Sequence, residues 1–186
     1  MNDKWLSVAM RLQSIAQAGL QYGKDPYDIA RYTELREIAA QLLAERTDLP
    51  PEKIHAVFCN ETGYQTPKLD TRAAVFSEGK ILLVHEADGT WALPGGWCDV
   101  DQSVASNTEK EVLEEAGLRV RAVRLIALQD WRLHNVHNYA HGVIKAFVLC
   151  ENLGGAFAEN PETTEARFFE KTALPAELAT QRSSKE

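Results

Sequence analysis

Residues 96–118 read GWCDVDQSVASNTEKEVLEEAGL, a stretch that begins with glycine and becomes rich in glutamate. The spacing predicts a helix, because Val104, Thr108 and Val112 recur at four-residue steps and therefore share one face. Gly117 supplies the C-terminal stop of this helix. The same periodicity gathers three carboxylates on the neighbouring face: Glu111, Glu114 and Glu115.

This acidic face predicts a metal site. Like charges at these spacings destabilise an isolated helix by about a few tenths of a kcal/mol per pair, and a divalent cation would offset the repulsion. Mg²⁺ is usually held by one or two carboxylates plus substrate phosphates, and Glu111 and Glu115 lie one turn apart. The preceding loop, Leu93–Gly96, offers backbone that can approach a phosphate. A solvated acidic helix face is the alternative interpretation.

The stretch resembles the Nudix box, G-x5-E-x7-R-E-U-x-E-E-x-G-U, in which U is a bulky aliphatic residue. Seven positions match at the required spacing: Gly96, Glu111, Val112, Glu114, Glu115, Gly117 and Leu118. Gln102 replaces the first glutamate of the box, and Lys110 replaces its arginine. In the family these two residues help to hold the loop and the helix together. Lysine keeps the charge but lacks the planar fork of arginine, so we expect a weaker pairing here.

The resemblance implies an α/β fold, a Nudix-like α/β/α sandwich around a mixed β-sheet, preceded by a small α-helical N-terminal subdomain. It implies hydrolysis of the pyrophosphate bond in a nucleoside diphosphate linked to another moiety X, giving a nucleoside monophosphate and phosphorylated X. The implied cofactor is Mg²⁺ or Mn²⁺. The metal ligands carried over are Glu111, Glu114 and Glu115, and Lys110 belongs to the same catalytic group.

Family members usually need one more carboxylate in a loop after the box. Glu162 is the candidate because it lies in a turn just before the last predicted strand, and Glu159 and Glu165 are the rivals. Arg72 begins a predicted strand and could contact a substrate phosphate, although a surface salt bridge would also explain it. The predicted substrate-binding residues are Arg72, Gly95, Gly96 and Trp97.

Residues 1–58 are predicted to form a helical extension that serves packing or dimerisation. Helical periodicity covers Trp5 to Leu20, continues from Pro26 to about Arg46, and returns from Pro51 to Phe58. This region resembles the extension found on enzymes that cleave X-linked nucleoside diphosphates, a group that includes CDP-choline and ADP-ribose pyrophosphatases. An apolar stripe with little core of its own needs a partner, so we expect a homodimer.

The rest of the chain is divided by its turn signals. Residues 59–70 are predicted to be a linker, 71–180 the Nudix domain and 181–186 a flexible tail. Within the domain the apolar runs predict short strands at 71–76, 80–85, 91–93, 120–128, 142–150 and 166–169. A closing helix is expected from Lys171 to Thr180.

Composition limits the class of protein. The 186 residues are 45% hydrophobic and 25% charged, which is typical of a globular domain, and no apolar run could span a membrane. The excess of 27 acidic over 20 basic residues disfavours nucleic acid as a partner. Three separated cysteines and the absence of a signal-peptide pattern predict a cytoplasmic protein. Two other functions stay open: a non-catalytic nucleotide-binding sensor on the same fold, and an RNA 5′-end pyrophosphohydrolase.

Overall fold

The structure is a computed structural model that describes residues 4–45, 50–135 and 141–182. The chain forms two compact units; of the described residues, the first contains those up to Pro67 together with 141–142, and the second contains 68–135 and 143–182. Among the described helices, none combines the length and apolar character that crossing a bilayer would require.

The first unit contains the three predicted helices, α1 (Lys4–Tyr22), α2 (Pro26–Ala44) and α3 (Pro51–Phe58). Helix α2 begins where predicted because the Asp25 side chain accepts hydrogen bonds from the backbone amides of Tyr27 and Asp28. The predicted end of this helix near Arg46 lies outside the described residues. The helices share a small apolar core formed by Ala9, Ala39, Ala40, Leu43, Ile54 and Phe58.

The second unit is built on a mixed six-stranded sheet. Its strands are β1 (Lys68–Ser77), β2 (Lys80–Glu86), β3 (Trp91–Ala92), β4 (Leu118–Asp130), β5 (Val143–Gly155) and β6 (Thr163–Phe169). The order is β3-β2-β1-β5-β4, with β6 paired to β2. Strands β1 and β5 are parallel, whereas the other pairs are antiparallel. The mixed α/β class predicted from the sequence is confirmed.

Helix α4 (Val104–Ala116) packs on one face of this sheet through Val112 and Ala116. Ser103 caps its first turn together with Ser106, and Gly117 ends the helix in the left-handed region at φ 66°. The core beneath the helix is formed by alternating residues of the strands: Ala73, Val75, Leu82, Val84, Leu118, Val120, Val148 and Cys150. Packing therefore fixes the rotation of α4 and with it the direction of its glutamates.

Two predictions about local structure were wrong. The expected closing helix at 171–180 is absent, and the described residues 171–182 form turns and one isolated bridge. Pro175 lies in the middle of that segment, where it removes a backbone donor and disfavours helical geometry at the residue before it. Residues 68–70 were predicted to be linker, but they belong to β1 because Lys68 pairs with Val143 of β5. A short unpredicted helix, α5 (Trp131–His134), follows β4.

Candidate active site

The glycine loop at residues 93–98 runs alongside β1. The amide of Thr71 donates to the carbonyl of Gly96 at 2.8 Å, and the amide of Ala73 donates to that of Pro94 at 2.9 Å. The loop is therefore held as extended backbone against the start of β1, and its position follows that of the sheet.

Two glycines let this loop lie between β1 and α4. Gly95 has φ +143°, and a Cβ built on it would overlap the carbonyl oxygen of Thr71. A Cβ on Gly96 would lie 2.8 Å from Oε2 of Glu111. Side chains at both positions would push the loop away from its neighbours, so the glycines matter here for close approach as well as for backbone freedom.

Glu115 lies directly under the loop. It is 7% exposed, and its Oε2 accepts a hydrogen bond from the amide of Gly95 at 2.8 Å. Burial raises the pKa of Glu115 to about 7; the Gly95 hydrogen bond and the charge of Arg72 lower it, whereas the charges of Glu111 and Glu162 raise it. The carboxylate is thus held among like charges in a largely dry position.

Glu111 lies one turn before Glu115 and is also buried, at 9% exposure. Burial raises its pKa, the charge of Lys110 opposes this shift, and the charge of Glu114 adds to it. The Glu114 side chain is 56% exposed. Two of the three predicted metal ligands therefore face the loop, while the third lies at the surface.

The described residues test whether a metal ion fits this site. In ranges 4–45, 50–135 and 141–182, no three His, Cys, Asp or Glu side chains form a ready-made cage. Mg²⁺ does not need one, because one or two carboxylates and the phosphates of a substrate usually hold it. Glu111 and Glu115 are buried carboxylates, burial raises the pKa of both, and the charge of Glu111 raises that of Glu115 further; a divalent cation would offset these shifts. The residues present fit such an ion.

Arg72 is not at the surface. It is 4% exposed, and its guanidinium donates to both carboxylate oxygens of Asp70, at 2.7 and 2.8 Å, and to the carbonyl of Leu93 at 3.2 Å. The surface salt bridge considered from the sequence is instead a buried pair. Arg72 thus fixes the start of the glycine loop, and its charge favours ionisation of Glu111 and Glu115.

Lys110 pairs the helix with the loop despite replacing the arginine of the box. Its Nζ lies 2.7 Å from Oδ2 of Asp99 and 3.6 Å from carboxylate oxygens of Glu111 and Glu114. The hydrogen bond with Asp99 raises the pKa of Lys110 above its usual range. The pairing partner is an aspartate of the loop, which the box pattern did not indicate.

The loop before β6 is tied to the C-terminal end of α4. The Asn160 side chain donates to the carbonyl of Glu114 at 3.1 Å, and the Thr163 hydroxyl donates to the carbonyl of Glu115 at 2.7 Å. Glu162 lies between these two anchors, with its amide donating to Oδ1 of Asn160 at 3.0 Å. The loop that carries Glu162 is therefore fixed relative to the glutamates of the helix.

The three carboxylates considered for this loop, Glu159, Glu162 and Glu165, differ in their surroundings, and Glu162 acts on α4 through its charge. Its negative charge raises the pKa of Glu115. Glu165 is instead paired with Arg167 at 2.9 Å on β6. In the part of the chain that the structure describes, Glu159 forms no hydrogen bond or ion pair with the glutamates of α4.

A cavity of about 300 Å³ adjoins the glycine loop through the side chain of Leu93. Its walls are mainly apolar side chains from the sheet and the C-terminal segment, including Ala74, Leu83, Ile126, Phe147, Leu174 and Leu178. Gln129, His134, Asn135 and Arg182 supply its polar lining. Trp97, the residue after Gly96 in the glycine loop, is 44% exposed.

Sequence reasoning missed three buried polar residues of the site: Asp70, Thr71 and Asn107. Asp70 and Arg72 are two apart on a strand and so point to the same side, which is a signal that could have paired them. Asn107 falls on the apolar face of α4, where a polar side chain needs buried partners.

The fold and site are those of a Nudix pyrophosphohydrolase, and the chain belongs to the Nudix family: residues 66–185 match the NUDIX domain. Residues 3–58 match a domain described as UDP-X-like, N-terminal oligomerisation domain. Nudix hydrolases generally use divalent metal ions.

Two relatives cover both parts of the chain, and a third covers about two thirds of it. YjhB of Bacillus subtilis, which carries the name of an ADP-ribose pyrophosphatase, is 41% identical over 176 residues, covering 94% of this chain and 85% of its own. The crystal structure of a UDP-X diphosphatase covers 97% of this chain and 88% of its own at 33% identity, with a TM-score of 0.62. That of a Streptococcus suis ADP-ribose pyrophosphatase covers 64% and 85% at 53% identity, with a TM-score of 0.60.

Proposed function

We propose that this enzyme hydrolyses the pyrophosphate bond of a nucleoside diphosphate linked to a second moiety, of the ADP-ribose or CDP-choline type. The products are a nucleoside monophosphate and the phosphorylated second moiety. The observation that carries the proposal is the pair of buried carboxylates, Glu111 and Glu115, facing a glycine loop whose backbone is fixed on both sides. The names of the relatives support the substrate class.

Each residue has a distinct part in this proposal. Glu111 and Glu115 hold Mg²⁺ or Mn²⁺, and Glu114 supports them from the surface. When bound, the ion neutralises pyrophosphate charge and lowers the pKa of a water molecule. Glu162 takes the proton of the water that attacks phosphorus. Arg72 orders the loop and Lys110 keeps it against the helix.

The cavity beside Leu93 supports a substrate larger than a bare pyrophosphate. Its volume of about 300 Å³ is at the lower end of the range for small-molecule pockets, and its apolar walls suit the flat face of a base or a sugar. Trp97, 44% exposed, offers an aromatic ring in the same loop for stacking.

A substrate panel tests the proposal. Purified protein is incubated with ADP-ribose, CDP-choline, UDP-sugars, dinucleoside polyphosphates and a capped or triphosphorylated RNA, each with Mg²⁺, Mn²⁺ or EDTA. We expect metal-dependent release of a nucleoside monophosphate from at least one X-linked diphosphate. Nucleotide binding without turnover would favour the sensor function instead, and turnover of RNA ends alone would favour the RNA hydrolase.

We also propose that the chain is a homodimer through residues 1–58. The match to an oligomerisation domain supports this, as do the exposed apolar side chains of that unit, which include Trp5, Ile15 and Ile38. Light scattering at micromolar concentration should give twice the chain mass of 20.8 kDa, and a monomeric mass would contradict the proposal. The cytoplasmic location predicted from the sequence stays a prediction.

A further inference from the structure

Asn107 is fully buried on α4, and its side chain reaches both the loop and the sheet. Its Nδ2 donates to Oγ1 of Thr71 at 2.9 Å and to the carbonyl of Trp97 at 3.3 Å. Its Oδ1 accepts a hydrogen bond from the amide of Asp99 at 3.2 Å. One side chain thus joins α4, β1 and the segment 97–99, which follows the two glycines of the loop.

An amide matches these three partners. It supplies two donors for the hydroxyl and carbonyl oxygens and an acceptor for the backbone amide of Asp99. An aspartate of the same shape would have no proton for the carbonyl of Trp97, and an alanine would remove all three hydrogen bonds, including the buried one to Thr71. The environment therefore selects asparagine by its hydrogen-bonding pattern as well as by its size.

The partners of Asn107 lie next to the two glycines of the loop, Gly95 and Gly96. Thr71, which accepts from the Asn107 side chain, donates its own amide to the carbonyl of Gly96. Gly95, the preceding residue, donates its amide to Glu115. Loosening Asn107 would therefore release the loop at the point where it meets that carboxylate.

We infer that Asn107 is a positioning residue that fixes the glycine loop against β1 and α4, so that the Gly95 amide meets Glu115 in the geometry required for metal-dependent hydrolysis. The inference rests on the proposed function and deepens it. It also accounts for how the loop is held in a chain with Gln102 and Lys110 in its box. The Lys110–Asp99 pair has side chains that are 37% and 52% exposed and is open to water, whereas the Asn107 side chain is fully buried and its bond to Thr71 is shielded from water.

The test compares Asn107→Ala and Asn107→Asp with Thr108→Val. Thr108 is the next residue and equally buried, but its hydroxyl bonds within the helix, to the carbonyl of Val104 at 2.7 Å. We expect both Asn107 variants to lower kcat by about 10- to 100-fold and to raise the Mg²⁺ concentration for half-maximal rate, as is typical when a ligand-orienting partner is lost. Thr108→Val should lower Tm while leaving kcat and the Mg²⁺ requirement unchanged.

Hydrogen exchange supplies a readout that does not depend on substrate. Amides of residues 93–102 should exchange faster in Asn107→Asp than in wild type, and Thr108→Val should leave them unchanged. If the Asn107 variants do not fold, Thr71→Val removes one partner of the amide and should show the same effects at smaller size.

Two outcomes are distinguishable. An active wild type whose Asn107 variants keep kcat, Mg²⁺ requirement and loop exchange within about twofold would overturn the inference, since partner loss ordinarily costs much more. If the Thr71→Val variant is used instead, amide exchange of the loop at the wild-type rate would also overturn the inference. A wild type that hydrolyses no substrate of the panel would instead overturn the proposed function.

Discussion

The amide of Gly95 donates a hydrogen bond to Oε2 of Glu115 at 2.8 Å, although the two residues are twenty positions apart in the chain. This bond joins the glycine loop to the acidic face of α4. It orients one oxygen of the carboxylate through fixed backbone, because the same glycine is packed against Thr71 of β1. The orientation of the Glu115 carboxylate therefore depends on a loop position, Gly95, that has no room for a side chain.

Replacing Gly95 by alanine should disrupt this arrangement. The new Cβ would overlap the Thr71 carbonyl and would also be strained at φ +143°, so we expect a loss of about 2–4 kcal/mol in the free energy of unfolding and a fall in kcat. Gly89→Ala is the matched control, because Gly89 has φ +85° but nothing within 4 Å of its Cβ. Urea unfolding and steady-state assays measure both effects. Equal stability and activity of the two variants would contradict the packing argument.

The stability of the metal-free protein should depend on pH through Glu115. Its folded pKa, about 7, lies above its ordinary value of 4.5 because of burial, so its contribution to stability is greatest below pH 4.5 and is lost as pH rises through 7. The loss amounts to at most ~3 kcal/mol. Urea unfolding in EDTA at pH 5 and pH 8 should therefore show Glu115→Gln gaining stability relative to wild type at the higher pH. A difference between the two proteins that does not change with pH would refute this role of burial.

Removing the charge of Lys110 should shift the acidic side of the kcat/KM–pH profile to higher pH. That charge lies 3.6 Å from Glu111 and lowers its pKa, so Lys110→Ala raises the pKa of a carboxylate that must be ionised to bind metal. The profile of kcat/KM against pH should shift to higher pH, whereas Lys110→Arg, which keeps the charge, should stay near wild type. Coincident profiles for all three proteins would show that Lys110 does not act on Glu111.

The proposed base is tested by comparing Glu162 with Glu165. Glu162→Gln removes the proton acceptor and should lower kcat by about 10²- to 10⁴-fold. Glu165→Gln should change kcat little, since it removes an exposed ion pair with Arg167. The reverse order of effects in steady-state kinetics would transfer the role to Glu165.

Local periodicity was sufficient to predict α4 and the shared face of Glu111 and Glu115, whereas Glu114 lies at the surface. Residues four apart on a helix share a face, so the burial of Glu111 with Glu115 follows from the position of Val112 in the core. The start of α2 was equally predictable, since Asp25 and Pro26 act through the adjacent backbone. Such features depend on neighbours in the sequence.

Features that depend on distant backbone were not predictable. The contact of Gly95 with Thr71 depends on how the loop aligns with β1, and no local signal encodes that alignment. The closing helix predicted at 171–180 is opposed by Pro175, and the carbonyl of Glu177 in this segment instead accepts a hydrogen bond from the amide of Trp91. The partners of Asn107 likewise come together only when the sheet has formed.

The central claim, that Glu115 supports metal-dependent pyrophosphate hydrolysis, is tested most directly by the rate of Glu115→Gln with the best substrate of the panel at saturating Mg²⁺. Glutamine keeps an oxygen that can accept from Gly95, so the fold should remain, while kcat should fall by roughly 10²- to 10³-fold, as expected when charge stabilisation at the reacting centre is lost. Wild type in EDTA should be inactive. A folded Glu115→Gln protein with wild-type kcat in Mg²⁺ would contradict the account.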